Sequence, residues 1–211
     1  MAGALYRKYR PQNFDAVRGQ DHIVSVLSAA LKKEQVGHAY LFSGSRGTGK
    51  TSVARIFARA LGIGDQDTYE LDAASNRGID DVRALKEGVH TMPFSSPYKM
   101  YIIDEVHMLT KEAFNALLKT LEEPPAHVIF ILATTELEKL PETIISRCEV
   151  HIFKTPTRAL LREHMVATAK EEGSELSPDA ADLIALLADG SFRDAHGVLQ
   201  KVLTVAEEKL I

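Results

Sequence analysis

The segment Gly44–Thr51 constrains the fold of this chain more than any other part of its sequence. It reads Gly-Ser-Arg-Gly-Thr-Gly-Lys-Thr and fits the pattern G-x-x-x-x-G-K-[ST] at every specified position. The apolar run Ala39–Ser43 comes directly before it. Four apolar residues at helical spacing follow it: Val53, Ile56, Phe57 and Leu61. A strand, a glycine-rich loop and a helix in this order predict a phosphate-binding loop, and a chance match is less consistent with these flanks.

Each part of this loop has an expected role toward a nucleotide. The glycines allow backbone N–H groups to turn inward around a phosphate, and the helix N-terminus adds positive potential. Lys50 is expected to reach the β- and γ-phosphates, and the Thr51 hydroxyl is expected to ligate Mg²⁺. The remaining predicted phosphate-binding residues are Gly44, Ser45, Arg46, Gly47, Thr48 and Gly49.

A second segment supplies the acidic groups that phosphate hydrolysis needs. The apolar run that begins at Met100 ends in Asp104 and Glu105. Asp104 is predicted to bind Mg²⁺, and Glu105 is predicted to orient and deprotonate a water molecule. An acidic pair after a strand is a weak signal alone, but together with the loop it makes ATP hydrolysis the leading chemistry.

Apolar runs that alternate with helical patterns predict an α/β fold, with a five-stranded parallel sheet covered by helices on both faces. Phe114, Leu117, Leu118 and Leu121 share one face of a helix that Thr110 is expected to cap and that the Pro124-Pro125 pair ends. The predicted strands are Ala39–Ser43, Tyr69–Asp72, Met100–Asp104, Val128–Ala133 and Val150–Phe153.

The pattern changes after Pro156, where three helices and no strand are predicted. One helix runs from Arg158 to Lys170, and Ser177-Pro178 is a favourable start for the next. Two apolar stripes are interpreted as core: Ala180, Leu183, Ile184 and Leu187, then Ala195, Val198, Leu199 and Val202. We therefore expect a core domain over residues 1–155 and a small helical lid domain over 156–211.

Charge and cysteine content exclude several classes of protein. A net charge of −4 argues against a protein that coats nucleic acid non-specifically. The single cysteine, Cys148, excludes an internal disulfide and a multi-cysteine zinc site within the chain. No apolar run reaches the roughly 18 residues of a membrane span, and the N-terminus does not resemble a signal peptide. A reducing, cytoplasmic location is expected.

The motifs resemble those of the AAA+ ATPases, and more closely those of the bacterial DNA polymerase III gamma/tau subunits, which drive the sliding-clamp loader. The resemblance covers nearly the whole chain. Besides the loop and the acidic pair, it rests on Leu5–Pro11, His38–Gly44, Val106–Leu109, Asn115–Pro125, Ala133–Thr135, Ser146–Cys148 and Gly190–Ala195.

The resemblance implies further site residues. Thr135 corresponds to the first sensor, near the γ-phosphate. A threonine there could equally be a helix cap, but its position after a central strand favours the sensor. Arg193 corresponds to the second sensor, and from the sequence alone a surface ion pair would be favoured there. Arg147 corresponds to the arginine finger that enters the ATP site of an adjacent subunit. The residues implied in holding the adenine, or else only in packing, are Tyr9, Pro11 and Val17.

Two segments bear on DNA and on zinc. Asp72–Asp80 resembles the clamp-loader segment that lies beside the DNA backbone, which would let Arg77 meet a phosphate. A helix capped by Ser75 or Asn76 is an equally good interpretation. The family usually carries a four-cysteine zinc module between the loop helix and this segment. Residues 61–68 bridge that gap without cysteine, so no zinc is expected.

The predicted function is an ATP-hydrolysing motor subunit of the DNA polymerase III clamp loader, acting in DNA replication. Its implied partners are other clamp-loader subunits, the sliding clamp and primer–template DNA. One alternative is a non-hydrolysing scaffold subunit similar to delta-prime, and another is an AAA+ ATPase of DNA repair or recombination. Because the family continues into a C-terminal collar domain, a truncated or short relative that is monomeric in isolation is expected.

Overall fold

The computed structural model describes residues 3–76 and 78–205, apart from the side chains of residues 79 and 81. Five strands alternate with helices over the first three quarters of the chain, and helices alone follow. In chain order the elements are α1 Leu5–Lys8, α2 Asp21–Lys32, β1 Ala39–Ser43, α3 Lys50–Ala60, β2 Thr68–Asp72, α4 Ile79–Val89, β3 Lys99–Asp104, α5 Lys111–Glu122, β4 Val128–Thr134, α6 Glu142–Ile145, β5 Glu149–Ile152, α7 Arg158–Glu171, α8 Pro178–Leu187 and α9 Phe192–Val205.

The strands form one parallel sheet in the order β2-β3-β4-β1-β5, which confirms the predicted fold class. In its centre, Leu41 of β1 lies opposite Leu132 of β4 on one side and Val150 of β5 on the other. Strands β1 and β4 are buried along their whole length. Continuous apolar strands of this kind require cover on both faces of the sheet.

That cover comes from two separate apolar clusters, one on each face. Leu41 and Ile103 point into the cluster that includes helices α4 and α5. Their neighbours Tyr40 and Ile102 point into the other cluster, which includes α2 and α3. Alternate residues of one strand thus belong to different layers, as the period of two requires.

Helix α5 begins and ends where its cap and its prolines predicted. The Thr110 hydroxyl accepts a hydrogen bond from the Ala113 backbone N–H, and the helix ends at Glu122, just before the two prolines. Phe114, Leu117 and Leu121 are buried against the sheet.

The chain divides into two compact units. The sheet unit holds residues 13–44 and 50–153, and the helical unit holds the described parts of 1–12 and 154–211 together with 45–49. The helical unit has its own core, in which Leu5 joins residues of α7, α8 and α9. The expected domain bounds, 1–155 and 156–211, stay a prediction, because this grouping also takes in the N-terminal segment and part of the glycine-rich loop.

Helix α8 corrects one interpretation of the sequence. Its start is as predicted, since the Ser177 hydroxyl accepts from the Ala180 N–H and Pro178 occupies the first turn. The predicted core stripe is wrong at Leu183 and Leu187, which are 54% and 60% exposed, whereas Ile184 is buried as predicted. Ala181 and Ala185 are buried beside Ile184. Small alanine side chains permit close packing with α7 and α9. Because apolar residues occur on most sides of α8, the spacing of apolar residues does not indicate which side is buried.

Within the described residues, no helix is both long and apolar enough to cross a membrane.

Candidate functional site

The glycine-rich loop adopts backbone conformations that residues with side chains disfavour. Gly44, Gly47 and Gly49 have φ angles of +152°, +75° and +103°. A Cβ atom on Gly44 would lie 2.7 Å from the Phe153 carbonyl oxygen, and both residues belong to the sheet unit. Glycine is therefore required at Gly44 for two reasons, its conformation and its close backbone neighbour.

The side chains of the loop region are held by short-range hydrogen bonds. Lys50, the first residue of α3, is buried, and its Nζ donates to the Gly44 carbonyl at 2.7 Å. The Thr48 hydroxyl donates to the Ser45 carbonyl at 2.8 Å, which fixes the middle of the loop. Arg46 is exposed. Lys50 thus brings a positive charge to the start of the loop, where an anion would benefit from it.

Thr51 and Asp104 come together although 53 residues separate them in sequence. The Thr51 hydroxyl donates to Asp104 Oδ2 at 2.9 Å, and Asp104 Oδ1 accepts from the Glu105 N–H at 3.1 Å. A hydroxyl beside a carboxylate provides the hard oxygen ligands that Mg²⁺ prefers. The two residues predicted to hold the metal therefore fit that ion by their donor set.

Glu105 lies in the left-handed region, with φ +48° and ψ +44°. Its Oε2 accepts from the Thr135 hydroxyl at 2.9 Å and from the Thr135 N–H at 3.3 Å. Because β3 and β4 are neighbours in the sheet, the residues that follow them meet at its carboxyl edge. The predicted base and the predicted first sensor are thus in direct contact, which neither motif could show alone. Left-handed backbone at a residue with a side chain is concentrated at functional sites.

Three residues of this edge were not singled out as site residues from the sequence. The His107 side chain is only 5% exposed, and its ring lies between Thr134 and Glu136. Glu136 also pairs with Lys139, whose hydrogen bond and charge lower the pKa of the Glu136 carboxyl. His107 Nδ1 forms a hydrogen bond with the Thr134 hydroxyl. A lone histidine carries no spacing signal that would reveal these partners.

Arg147 follows the short helix α6 and is held by a different set of groups. One guanidinium nitrogen lies 2.6 Å from Glu122 Oε1, and the other donates to the Thr143 carbonyl at 2.7 Å. Among the contacts that the structure describes, none joins Arg147 to Glu105 or Lys50. Its neighbour Cys148 packs partly against the core, and this burial raises the pKa of the thiol to about 11.

Within the helical unit, Gly47 lies beside the start of α9. The Phe192 N–H donates to the Gly47 carbonyl at 3.2 Å, and a Cβ on Gly47 would lie 2.0 Å from Ser191 Oγ. Arg193, the next residue, is exposed. The described part of the chain contains no acid within ion-pair distance of Arg193, so the alternative of a surface ion pair finds no support there.

Tyr9 packs inside the helical unit. Its ring is stacked on His196 at a centroid distance of 5.9 Å, and its hydroxyl donates to Glu172 at 2.5 Å. Burial and then the Glu172 carboxylate raise the pKa of Tyr9 above its ordinary value. Pro11 is half-buried in the same unit, whereas Val17 packs on the core of the sheet unit. Their expected role in holding adenine stays a prediction.

Arg77, the expected contact to DNA, lies outside the described residues. Just before it, the Ser75 hydroxyl donates to Asp72 Oδ2 and the Asn76 amide donates to the Asp72 carbonyl. A cap on α4 from Ser75 or Asn76 stays a prediction. As for metals, residues 3–76 and 78–205 contain no group of three or more His, Cys, Asp or Glu side chains that could hold an ion.

A family model described as "DNA polymerase III, delta subunit" matches residues 19–77 and 67–157 of this chain. The chain belongs to this family. Curated relatives named gamma/tau or tau confirm the resemblance that the motifs indicated. The DNA polymerase III subunit tau of Bacillus subtilis (strain 168) is 46% identical over 98% of this chain and 40% of its own length. The gamma/tau subunit of Mycoplasma pneumoniae is 41% identical over 100% of this chain and 34% of its own.

This family member thus spans about two fifths or less of the length of these curated relatives. Solved structures resemble its fold. The Thermotoga maritima RuvB Holliday junction branch migration motor matches with a TM-score of 0.79 at 25% identity, over 96% of this chain and 69% of that chain. A single-substitution variant of the same motor matches with a TM-score of 0.80 at 24% identity, over the same shares. The chain therefore has the AAA+ P-loop fold.

Proposed function

We propose that this chain binds ATP with Mg²⁺ and hydrolyses it as a motor subunit of the DNA polymerase III clamp loader. One observation carries the proposal: Lys50, Thr51, Asp104, Glu105 and Thr135 are all present, and hydrogen bonds link Thr51 to Asp104 and Thr135 to Glu105. They follow a glycine-rich loop that keeps every residue of its pattern. This chemistry needs an anion cradle, a metal site and a base, and the residues provide all three.

The residues act in the following way in this proposal. The N–H groups of the loop and Lys50 bind the phosphates, so the Lys50 ammonium leaves the Gly44 carbonyl for an anionic oxygen. Thr51 and Asp104 would hold Mg²⁺, which would neutralise charge on the phosphate oxygens. Glu105 accepts a proton from the attacking water. A carboxylate has about four acceptor sites, so Glu105 can keep its hydrogen bonds from Thr135 and also accept this proton.

Two arginines complete the proposed site. Arg193, the proposed second sensor, would contact phosphate; it is exposed and has no acidic partner among the described residues. Arg147 would act on the ATP bound by an adjacent subunit, where such a group contributes about 10³–10⁵ in rate. The proposed partners are therefore other clamp-loader subunits, with the sliding clamp and primer–template DNA bound by the assembled complex.

A non-hydrolysing scaffold subunit is the second candidate, because the matching family model carries the name of the delta subunit. The complete set of proposed catalytic residues favours the motor instead. A recombination ATPase is weaker, since the RuvB structures match at 25% identity and show the fold alone, whereas the tau relative matches at 46%.

ATP turnover by the assembled complex tests the proposal. This chain is mixed with clamp-loader partners, sliding clamp and primed DNA, and phosphate release is followed. We expect DNA and clamp to stimulate turnover, and Glu105→Gln to bind ATP without hydrolysing it. Tight ATP binding without turnover in every combination of partners would favour the scaffold role, and the absence of ATP binding by the folded chain would refute the motor.

A further inference from the structure

His107 lies at the carboxyl edge of the sheet between two carboxylates. Its Nδ1 is 2.9 Å from Thr134 Oγ1 and 3.5 Å from Glu105 Oε2. Its Nε2 is 3.2 Å from Glu136 Oε1. The side chain is 5% exposed, so these protein groups, rather than water, surround both ring nitrogens.

Donor and acceptor chemistry assigns the protons of this cluster. The Glu136 carboxylate is acceptor-only when ionised, so the ring nitrogen that faces it at 3.2 Å, Nε2, carries a proton. In the neutral ring Nδ1 then accepts, and the Thr134 hydroxyl donates to it. The same Thr134 oxygen accepts from the Glu136 N–H at 3.0 Å. These two hydrogen bonds, together with the 3.2 Å contact between His107 Nε2 and Glu136 Oε1, join Thr134, His107 and Glu136, and this cluster is called the histidine ring network below.

The network ties the turn after β3 to the turn after β4. Glu105 is two residues before His107, and its left-handed backbone is a conformation that the surroundings must enforce. Thr134 and Glu136 flank Thr135, the residue that hydrogen-bonds Glu105 Oε2. A buried side chain that joins both turns therefore sets the position of Glu105 relative to Thr135.

We propose that His107 is a positioning residue for Glu105, and that its Nδ1 contact with Thr134 holds the carboxylate where it meets both Thr135 and the attacking water. The proposal deepens the proposed ATPase function and rests on it. His107 itself does not touch the substrate. It acts as the hydrogen-bonding partners of catalytic ligands do, whose loss costs about 10–100-fold in activity.

Three substitutions at one position test the contact atom by atom. His107→Leu removes both nitrogens, His107→Asn keeps a polar atom near Nδ1, and His107→Gln keeps one near Nε2. In the assembled complex we expect His107→Leu to lower kcat for ATP about 10–100-fold, with KM within about twofold. His107→Asn should restore most of kcat and His107→Gln little of it. His22→Asn is the matched control, because His22 is an exposed histidine that contacts the Ile152 carbonyl, and it should leave kcat unchanged.

Thr134→Val removes the hydroxyl at nearly constant shape and provides a second route should His107→Leu fail to fold. It should lower kcat as His107→Leu does. Unchanged kcat in His107→Leu and Thr134→Val, or equal loss in His107→Asn and His107→Leu when both bind ATP normally, would overturn the proposal.

A readout without turnover separates this proposal from the proposed function. In the nucleotide-free chain, ring ¹⁵N shifts should show His107 as the Nε2–H tautomer, and His107→Leu, but not His107→Asn, should shift the Glu105 side-chain resonances. If these shifts appear and no ATP is hydrolysed, the motor role fails while the network stands. The Nδ1–H tautomer, or unshifted Glu105 resonances in His107→Leu, would refute the network even in an active complex.

Discussion

The carboxyl edge of the sheet and the segment around Arg147 both carry proposed catalytic groups, but the two regions are built differently. At the sheet edge, Glu105 and Thr135 are linked through side chains on adjacent strand ends. Arg147 lies beyond the short helix α6, and one carboxylate, Glu122, and one backbone carbonyl hold its guanidinium. The first region links the ends of two strands, whereas the second adds only a long, 3.5 Å hydrogen bond from Arg147 to the neighbouring Ser146 hydroxyl.

This difference matches what each region would do. Groups that act on ATP bound by their own chain gain from being fixed in place, because misplacement by about 1 Å can cost about 10²-fold in rate. A group that acts in a neighbouring subunit has to leave its resting partner when that subunit docks. A partly exposed ion pair, usually worth about 0–1 kcal/mol, is weak enough to be exchanged for a phosphate.

Lys50→Ala should have the largest effect on ATP binding of the substitutions considered, and with ATP binding lost no turnover can follow. A normal result would contradict the role given to the carboxyl edge of the sheet. Removal of the buried ammonium takes away the positive charge at the loop, so ATP affinity should fall at least about a hundredfold. Fluorescent-nucleotide titration of the isolated chain measures it, with Lys86→Ala on α4 as a control of equal charge change. Normal ATP affinity in Lys50→Ala would show that the loop is not the phosphate site.

Arg147→Ala should lower turnover of the assembled complex by about 10³ and leave ATP affinity unchanged. In the isolated chain, turnover should not change, because no adjacent subunit presents its site. Phosphate release measured in both states tests this. Equal loss of turnover in the dilute chain would mean that Arg147 acts structurally, and the contrast between the two regions would then disappear.

Cys148 reports whether the Arg147 segment is ordered. Burial raises the pKa of its thiol to about 11, so at pH 8 its thiolate fraction is about two orders of magnitude below that of an ordinary cysteine. Iodoacetamide should therefore react about a hundredfold more slowly with the folded than with the urea-unfolded chain. Because the folded-state pKa is raised, the rate should climb about tenfold per pH unit up to about pH 10. Fast alkylation at pH 8 would show that this segment opens readily.

Glu122→Gln should have the smallest effect on turnover. It tests whether the contact with Glu122 holds Arg147 in its resting position. It weakens the resting contact of Arg147, so turnover of the assembled complex should rise by no more than about fivefold. The neighbouring Glu123→Gln removes the same charge without the described contact and serves as the control. A fall in turnover with Glu122→Gln, but not with Glu123→Gln, would mean that the pair aligns Arg147 rather than holding it back.

The sequence predicted all five strands to within a residue or two at each end. Patterns of neighbouring residues were sufficient there, because buried parallel strands are continuous apolar runs. The loop Gly44–Thr51 also marks the end of one of them, β1. Such patterns were also sufficient for the caps at Thr110 and Ser177, which involve groups only three residues apart. They failed for the buried face of α8, where packing against two other helices outweighs the intrinsic pattern.

The sequence by itself thus determined the phosphate loop, the acidic pair after β3, the strands of an α/β fold and the family. Each depends on residues that are adjacent or regularly spaced along the chain. Only the tertiary structure decided the contacts between these segments. Thr51 hydrogen-bonds Asp104, Thr135 hydrogen-bonds Glu105, His107 contacts Thr134 and Glu136, and Arg147 pairs with Glu122. These contacts join the ends of different strands and helices, and their distances are set by how the sheet and its covering helices pack.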